Sequence, residues 1–418
     1  MYYKYAYPEL FDGVPRPDFR AFNDNLVIYG AGFQGLLAAY LLERRGIRVL
    51  CFGDRAENKQ NTTYHGLPVY SPEEMARRYP NAMAIVTPYN LRPVYEYVRD
   101  ELGYGEQTVT PFSLFLEFDP AGFSDLPEIP DWYREDAIEL TVDMFLRQCV
   151  NLQTAHTLLS AAVSVTEVCN LRCRNCVSFM PNYSKPRHFE FDAVLRDIQA
   201  LIKGRRFQRI SLEGGELFLW EPLPRLIRAL RDAPEIMALY LATNGTVLPG
   251  QDLLDALSHP KVGVRISDYG ALVKRDQLSS LFQRNHVQHW FQLQKWYELS
   301  MFHRDPWPEE TLKDVVNNCF KATGEGSFHI ADGKLFRCPN QANLHNLGVF
   351  LSSEKDYVDL RDPDQERVQR RITEFMDIKH MPPVIELCRH CVGRSYINRE
   401  VPPAQQLAPG EKIQVRFV

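Results

Sequence analysis

The chain has 418 residues, 45% of them hydrophobic, which is enough for two or three domains with cores of their own. A formal net charge of −5 gives no broad attraction to nucleic acid or to an anionic membrane. No signal-peptide core and no membrane-length apolar run is present, and nine cysteines cluster at ligand spacing, so a cytoplasmic, reducing setting with bound metal is expected rather than disulfides.

Leu26–Tyr29 is a short apolar run that reads as a buried strand. It enters Gly30-Ala31-Gly32-Phe33-Gln34-Gly35, a GxGxxG, and then a helical stretch ended by Gly46. Residues 47–52 form a second strand with Asp54 just past it, residues 83–87 a third, and residues 91–102 a helix. This βαβ order is that of a dinucleotide fold, in which Gly30, Gly32 and Gly35 admit a phosphate and Asp54 takes ribose hydroxyls. The same glycines also serve tight strand–helix packing, so a nicotinamide cofactor, another nucleotide or nucleotide-sugar, and a plain docking role all stay open. Phe52-Gly53-Asp54, Gly66-Leu67-Pro68-Val69 and Ser71-Pro72-Glu73-Glu74 resemble the small Rossmann-like domain of polysaccharide-biosynthesis enzymes, which implies a sugar-type ligand. Residues 120–134 are rich in Pro and acid and read as a linker, and residues 137–159 as a connecting helix.

From Ala161 onward strands and helices alternate, which implies parallel strands with ligands gathered at their C-terminal ends. Strands are expected at 163–166, 209–212, 239–242, 262–266 and 287–291, with a helix capped by Asp192 and closed by Gly204 after the first. The first strand leads into Cys169-Asn170-Leu171-Arg172-Cys173-Arg174-Asn175-Cys176. This CxxxCxxC places three thiolates on one loop, suited to three corners of a cubane iron–sulfur cluster whose fourth iron stays open. Gly214-Gly215-Glu216 follows one βα unit later, then Thr243-Asn244-Gly245 and Ser267-Asp268, each at a strand end.

Together these motifs resemble the radical S-adenosylmethionine (radical SAM) superfamily over roughly the C-terminal two thirds of the chain. The resemblance implies a partial TIM-type (β/α)6 barrel, hence an α/β fold, and a [4Fe-4S] cluster on Cys169, Cys173 and Cys176 that binds S-adenosylmethionine (SAM). It assigns Gly214, Gly215 and Glu216 to the methionine ammonium, with Asn244, Ser267 and Asp268 as further SAM contacts. The residue before the third cysteine is commonly aromatic in the superfamily and is Asn175 here, so adenine packing is expected to differ. The implied chemistry is reductive cleavage of SAM to methionine and a 5′-deoxyadenosyl radical that takes hydrogen from a substrate C–H.

Cys319 and Cys338 bracket a hairpin turning at Asp332-Gly333, and Cys388 and Cys391 form a CxxC. By composition alone these four could hold zinc or act as a thiol pair. Behind such a core they resemble the twitch form of the SPASM domain, which implies a second, auxiliary [4Fe-4S] cluster. The expected organisation is a Rossmann-like domain at 1–119, linker and helix at 120–160, barrel at 161–305, and twitch domain with tail at 306–418. Seven cysteines are then used, and neither Cys51 nor Cys149 lies where a hydrogen-donating thiol would serve an epimerase. Dehydrogenation of a sugar, aminocyclitol or nucleotide-linked sugar is therefore the leading expectation, the second electron passing to the auxiliary cluster. Partners would be a carbohydrate-like small molecule and a reductant such as flavodoxin or ferredoxin, with no nucleic acid and no membrane. Sugar epimerisation, ribosomal-peptide maturation and a non-catalytic metal scaffold remain as alternatives. Proton loss from the substrate radical asks for a base, and His303 with Arg304 is the expected catalytic pair, with His289 and His329 as rivals.

Overall fold

The computed structural model describes residues 13–22, 25–88, 91–118, 138, 141–142, 145–146, 148–150, 152, 159–293, 296–298, 301–302, 304–317, 319, 327–376, 384–391 and 400–417. The expected linker, most of the connecting helix and His303 lie outside them. The chain divides into two compact units, Met1–Thr157 and Leu158–Val418.

In the first unit, β1 (Leu26–Tyr29) has all four side chains buried and pairs in parallel with β2 (Val49–Gly53) and β5 (Met83–Val86). α1 (Phe33–Arg44) connects β1 to β2. Beyond β2 the sheet adds β4 (Leu67–Tyr70) and then the antiparallel edge strand β3 (Thr62–Tyr64), while β6 (Thr108–Val109) extends the other side. The strand–helix–strand order anticipated for a Rossmann-like fold is present. The helix expected at 91–102 is α-helical over Leu91–Glu96 and continues as a π turn over Tyr97–Glu101.

The second unit is an α/β sheet. β7 (Leu159–Thr166), β8 (Phe207–Gly214), β9 (Leu239–Thr243), β10 (Val262–Ser267) and β11 (Gln288–Gln292) run parallel as successive neighbours. On the other side of β7 lies β12 (Ser327–Ala331), also parallel, followed by antiparallel β13 (Lys334–Phe336) and β14 (Tyr357–Asp359). The segment expected as an auxiliary-cluster domain thus continues the same sheet. The hairpin turns at Asp332-Gly333, both at positive φ, as its sequence predicts.

Helices cover one face. α2 (Phe191–Ile202) buries Val194, Ile198, Leu201 and Ile202 in a cluster with Ile210, Leu212, Leu241 and Val264 from the strands. Each such side chain contributes about 1.5–3 kcal/mol by leaving water. The N-cap of α2 is Glu190 rather than Asp192, whose exposed carboxylate sits in the first turn, still a favourable end of the helix dipole. Because strand side chains alternate, the opposite face carries Ser164, Arg209, Ser211, Glu213, Tyr240, Arg265, Ser267 and Gln292. Strands buried against helices on both faces would be apolar throughout, so this polar face marks a lined cavity. No helix among the described residues is long and apolar enough to cross a membrane.

Candidate functional site

One cavity of about 520 Å³ collects the strand ends and the cysteine loop of the second unit. Cys169, Cys173 and Cys176 line it, as do Gly214, Gly215, Thr243, Asn244 and Ser267. Its size suits a nucleoside-sized ligand together with a small substrate.

The loop is held close to β8 by its backbone. Gly215 N donates to Thr166 O at 2.8 Å and Glu216 N to Val168 O at 2.8 Å. A Cβ on Gly215 would lie 2.0 Å from Val168 O, and one on Gly214 would lie 2.4 Å from Thr166 O. Both obstacles are backbone and cannot swing aside. Gly215→Ala is therefore expected to cost about 3 kcal/mol or more, read as a lowered urea midpoint and poor retention of iron. Gly32→Ala, whose added methyl meets nothing within 4 Å, is the matched control and should unfold like the parent.

Glu216 does not face the cavity. Its side chain is fully buried, with Oε1 accepting from Phe218 N (3.1 Å) and Thr243 Oγ1 (2.7 Å) and Oε2 from Asn244 N (2.8 Å). Three internal donors hold Glu216, the residue expected to contact SAM, as the tie between the ends of β8 and β9, and burial pushes its carboxyl pKa up. Asp268 is also turned away, accepting from Arg275 and from Gly270 N, while Ser267 stays on the cavity wall. Asn244 reaches the wall with Nδ2 donating to Asn170 Oδ1 at 2.9 Å and lying 3.8 Å from Cys169 Sγ.

The three thiols suit a cluster. Burial pushes Cys169 up to about 12 and Cys173 up to about 11, and raises Cys176 as well, so cationic iron is what would keep them as thiolates. Leu171 N and Gln406 Nε2 donate to the sulfurs of Cys169 and Cys173, each at 3.4 Å. Among the described residues no three Cys, His, Asp or Glu side chains gather round a single metal ion, a geometry a cubane does not ask for because each thiolate meets a different iron. Soft donors on one loop, beside a cavity, fit an iron–sulfur cluster.

The other four cysteines also converge, since Cys388 senses the charges of Cys338, Cys391 and Cys319 while burial raises its thiol. An apolar cluster of Phe179, Phe302, Leu344, Ile385, Leu387, Leu407 and Ile413 packs against Cys176, Cys338 and Cys388. Sequence patterns missed the tail that supports it. Leu407 N donates to Arg172 O and Arg174 N to Gln405 O, both at 2.7 Å, and Asn182 exchanges two hydrogen bonds with the Ile413 backbone.

Arg304 is exposed and is not a cavity residue, and His303 is outside the described residues. His289 lies on the helix-facing side between Phe282 and Phe291. His329 is 3% exposed, with Nδ1 3.3 Å from the cavity residue Glu213 and Nε2 3.0 Å from Ser164 Oγ.

In the first unit, a Cβ on Gly35 would meet Gly30 O at 2.0 Å and one on Gly30 would meet Thr87 Oγ1 at 2.7 Å, so these two glycines serve packing. Asp54 closes the glycine loop, accepting from Ala31 N (2.9 Å), Ala56 N (2.9 Å) and Lys59 Nζ (3.0 Å). These three donors engage the carboxylate expected to take ribose hydroxyls.

Residues 163–267 match the radical SAM superfamily. GTP 3′,8-cyclase of Acidothermus cellulolyticus is 40% identical over 92 residues, 21% of this chain and 25% of that protein. The Chlorobaculum tepidum GTP 3′,8-cyclase is 33% identical over 96 residues, 23% and 28% of the two chains. The chain thus spans only about a quarter of these curated relatives. Similar solved structures include BtrN in complex with AdoMet and 2-DOIA (TM-score 0.39, 13% identity, 61% of this chain and 100% of that one). Another is Streptococcus suis SuiB bound to S-adenosylmethionine (TM-score 0.28, 15% identity, 47% and 45%). The second unit of this chain thus contains the stretch, residues 163–267, that matches the radical SAM superfamily.

Proposed function

We propose that this protein is a radical SAM oxidoreductase that dehydrogenates a carbon bearing a hydroxyl or amine in a carbohydrate-like small molecule. The observation that carries the reading is the shared wall of one cavity, where three thiols, the Gly214–Gly215 backbone, Asn244 and Ser267 come together. A [4Fe-4S] cluster on Cys169, Cys173 and Cys176, with SAM, would supply the hydrogen-abstracting radical, and a second cluster on Cys319, Cys338, Cys388 and Cys391 an acceptor for the remaining electron.

The chain's own part is placement and exclusion of water. Gly214 and Gly215 let the backbone leading into the cysteine loop pass against the strand end, Asn244 braces that loop through Asn170, and Ser267 offers a hydroxyl on the facing wall. Tyr269 and Trp296, whose ring centroids lie 5.5 Å apart edge to face, give the cavity an aromatic side. The spare thiols of Cys51 and Cys149 are buried in the first unit, which supports dehydrogenation over thiol-quenched epimerisation. In the first unit, Gly32 alone of the three loop glycines faces open space, which supports a nucleotide-sugar there.

Reduced, iron-reconstituted protein incubated with SAM and a panel of sugars and aminocyclitols is expected to release 5′-deoxyadenosine and a product lacking two hydrogens. Cys173→Ala should abolish both. No deoxyadenosine from the parent protein overturns the reading, and a product of unchanged mass replaces dehydrogenation with epimerisation.

A further inference from the structure

The face of the sheet that lines the cavity carries two arginines, Arg209 on β8 and Arg265 on β10. A guanidinium is a costly choice for a strand interior, since a buried cation needs a counter-charge. Among the described residues Arg209 meets no carboxylate. Its guanidinium lies 5.7 Å from the centre of the Tyr240 ring, and its Nε is buried without a hydrogen-bond partner. A nearby acid exists in Glu213, but that carboxylate is 3.3 Å from the buried ring of His329. Arg265 shares the wall, and five donors let a guanidinium keep a protein partner while still offering a pair to a ligand.

Position adds a second argument. Arg209 precedes Gly214 by five residues, roughly 16 Å along a strand, so its Cα lies well below the cysteine loop. A neutral sugar held between the strand ends and this level would need no guanidinium, whereas a sugar or cyclitol carrying an oxyanion would reach it. The geometry points to Arg209, deep in the cavity, together with Arg265, which sits level with Ala242 nearer the strand ends, as the anchor for a carboxylate or phosphate on the substrate. The anchor rests on the reading that this cavity holds the substrate of a SAM-dependent reaction.

The test is calorimetric titration of the full-length, cluster-loaded, SAM-saturated protein with inorganic phosphate in one arm and acetate in the other. Binding of either ion in the parent, weakened tenfold or more in Arg209→Gln and in Arg265→Gln, supports the anchor, and the better-bound ion identifies the group. Arg209→Lys, which keeps the charge but loses the fork, is expected to fall between, and it serves as the second variant should Arg209→Gln fail to fold. Arg367→Gln removes a surface ion pair with Asp362 and controls for net charge. No binding of either ion by the parent, or equal binding by parent and both Gln variants, overturns the anchor and leaves the arginines as internal pairing groups. Deoxyadenosine formation by the parent is scored separately: its absence with phosphate still bound defeats the enzymatic reading alone, and its presence without arginine-dependent binding defeats the anchor alone.

Discussion

Glu216→Ala is expected to lower the stability of the second unit by about 3–5 kcal/mol and to abolish SAM cleavage, although the carboxylate touches no ligand-facing surface. Its three donors, Phe218 N, Thr243 Oγ1 and Asn244 N, would be stranded in a site with no access to water. Glu216→Gln keeps the volume yet presents an amide N–H to at least one of those donors, so only part of the loss should return. Because Asn244 takes its backbone position from this tie, its grip on Asn170 and the cysteine loop should loosen as well. Urea unfolding followed by tryptophan fluorescence, beside an iron assay, reads both effects. Should Glu216→Gln unfold like the parent and load iron normally, Glu216 is not the tie described here.

Removing residues 404–418 is expected to strip the cluster proposed on Cys169, Cys173 and Cys176. The deletion withdraws Gln406 from Cys173 Sγ, the strand-like pairing to Arg172 and Arg174, the clasp on Asn182, and Leu407 and Ile413 from the apolar cluster. Iron should fall by at least about four per chain, with no SAM-dependent change left in the electron paramagnetic resonance spectrum. Gln406→Ala isolates the sulfur contact: the cluster should load, and its reduction potential should shift down because a hydrogen bond to a ligating sulfur favours the more reduced state. Full iron in the truncated protein, or an unchanged potential in Gln406→Ala, would sink the strap as a cluster-holding device.

What was legible in the sequence was local. The cysteine loop, the Gly214–Gly215 pair, the Thr243–Gly245 turn and the Asp332-Gly333 hairpin are short strings whose spacing dictates geometry, and the cavity gathers the first three. Side-chain direction was not legible. The superfamily resemblance makes Glu216 and Asp268 ligand contacts, and position after a strand does the same for Asp54, but neither signal shows the donors on Thr243, Arg275 and Lys59 that these carboxylates accept from. The polar face was readable in principle, because Arg209, Ser211 and Glu213 alternate with Ile210 and Leu212 at the strand period. The His329–Glu213 pair and the tail could not be read, since both join segments more than a hundred residues apart in sequence.

That distance orders how the protein is made. Asn182 and its partner Ile413 are 231 residues apart, which at about 5–20 residues per second leaves roughly ten to fifty seconds of translation between them. Throughout that interval Cys169, Cys173 and Cys176 lack the hydrogen bonds and apolar contacts of residues 404–413, so the surroundings of these sulfurs are complete only when nearly the whole polypeptide has been made.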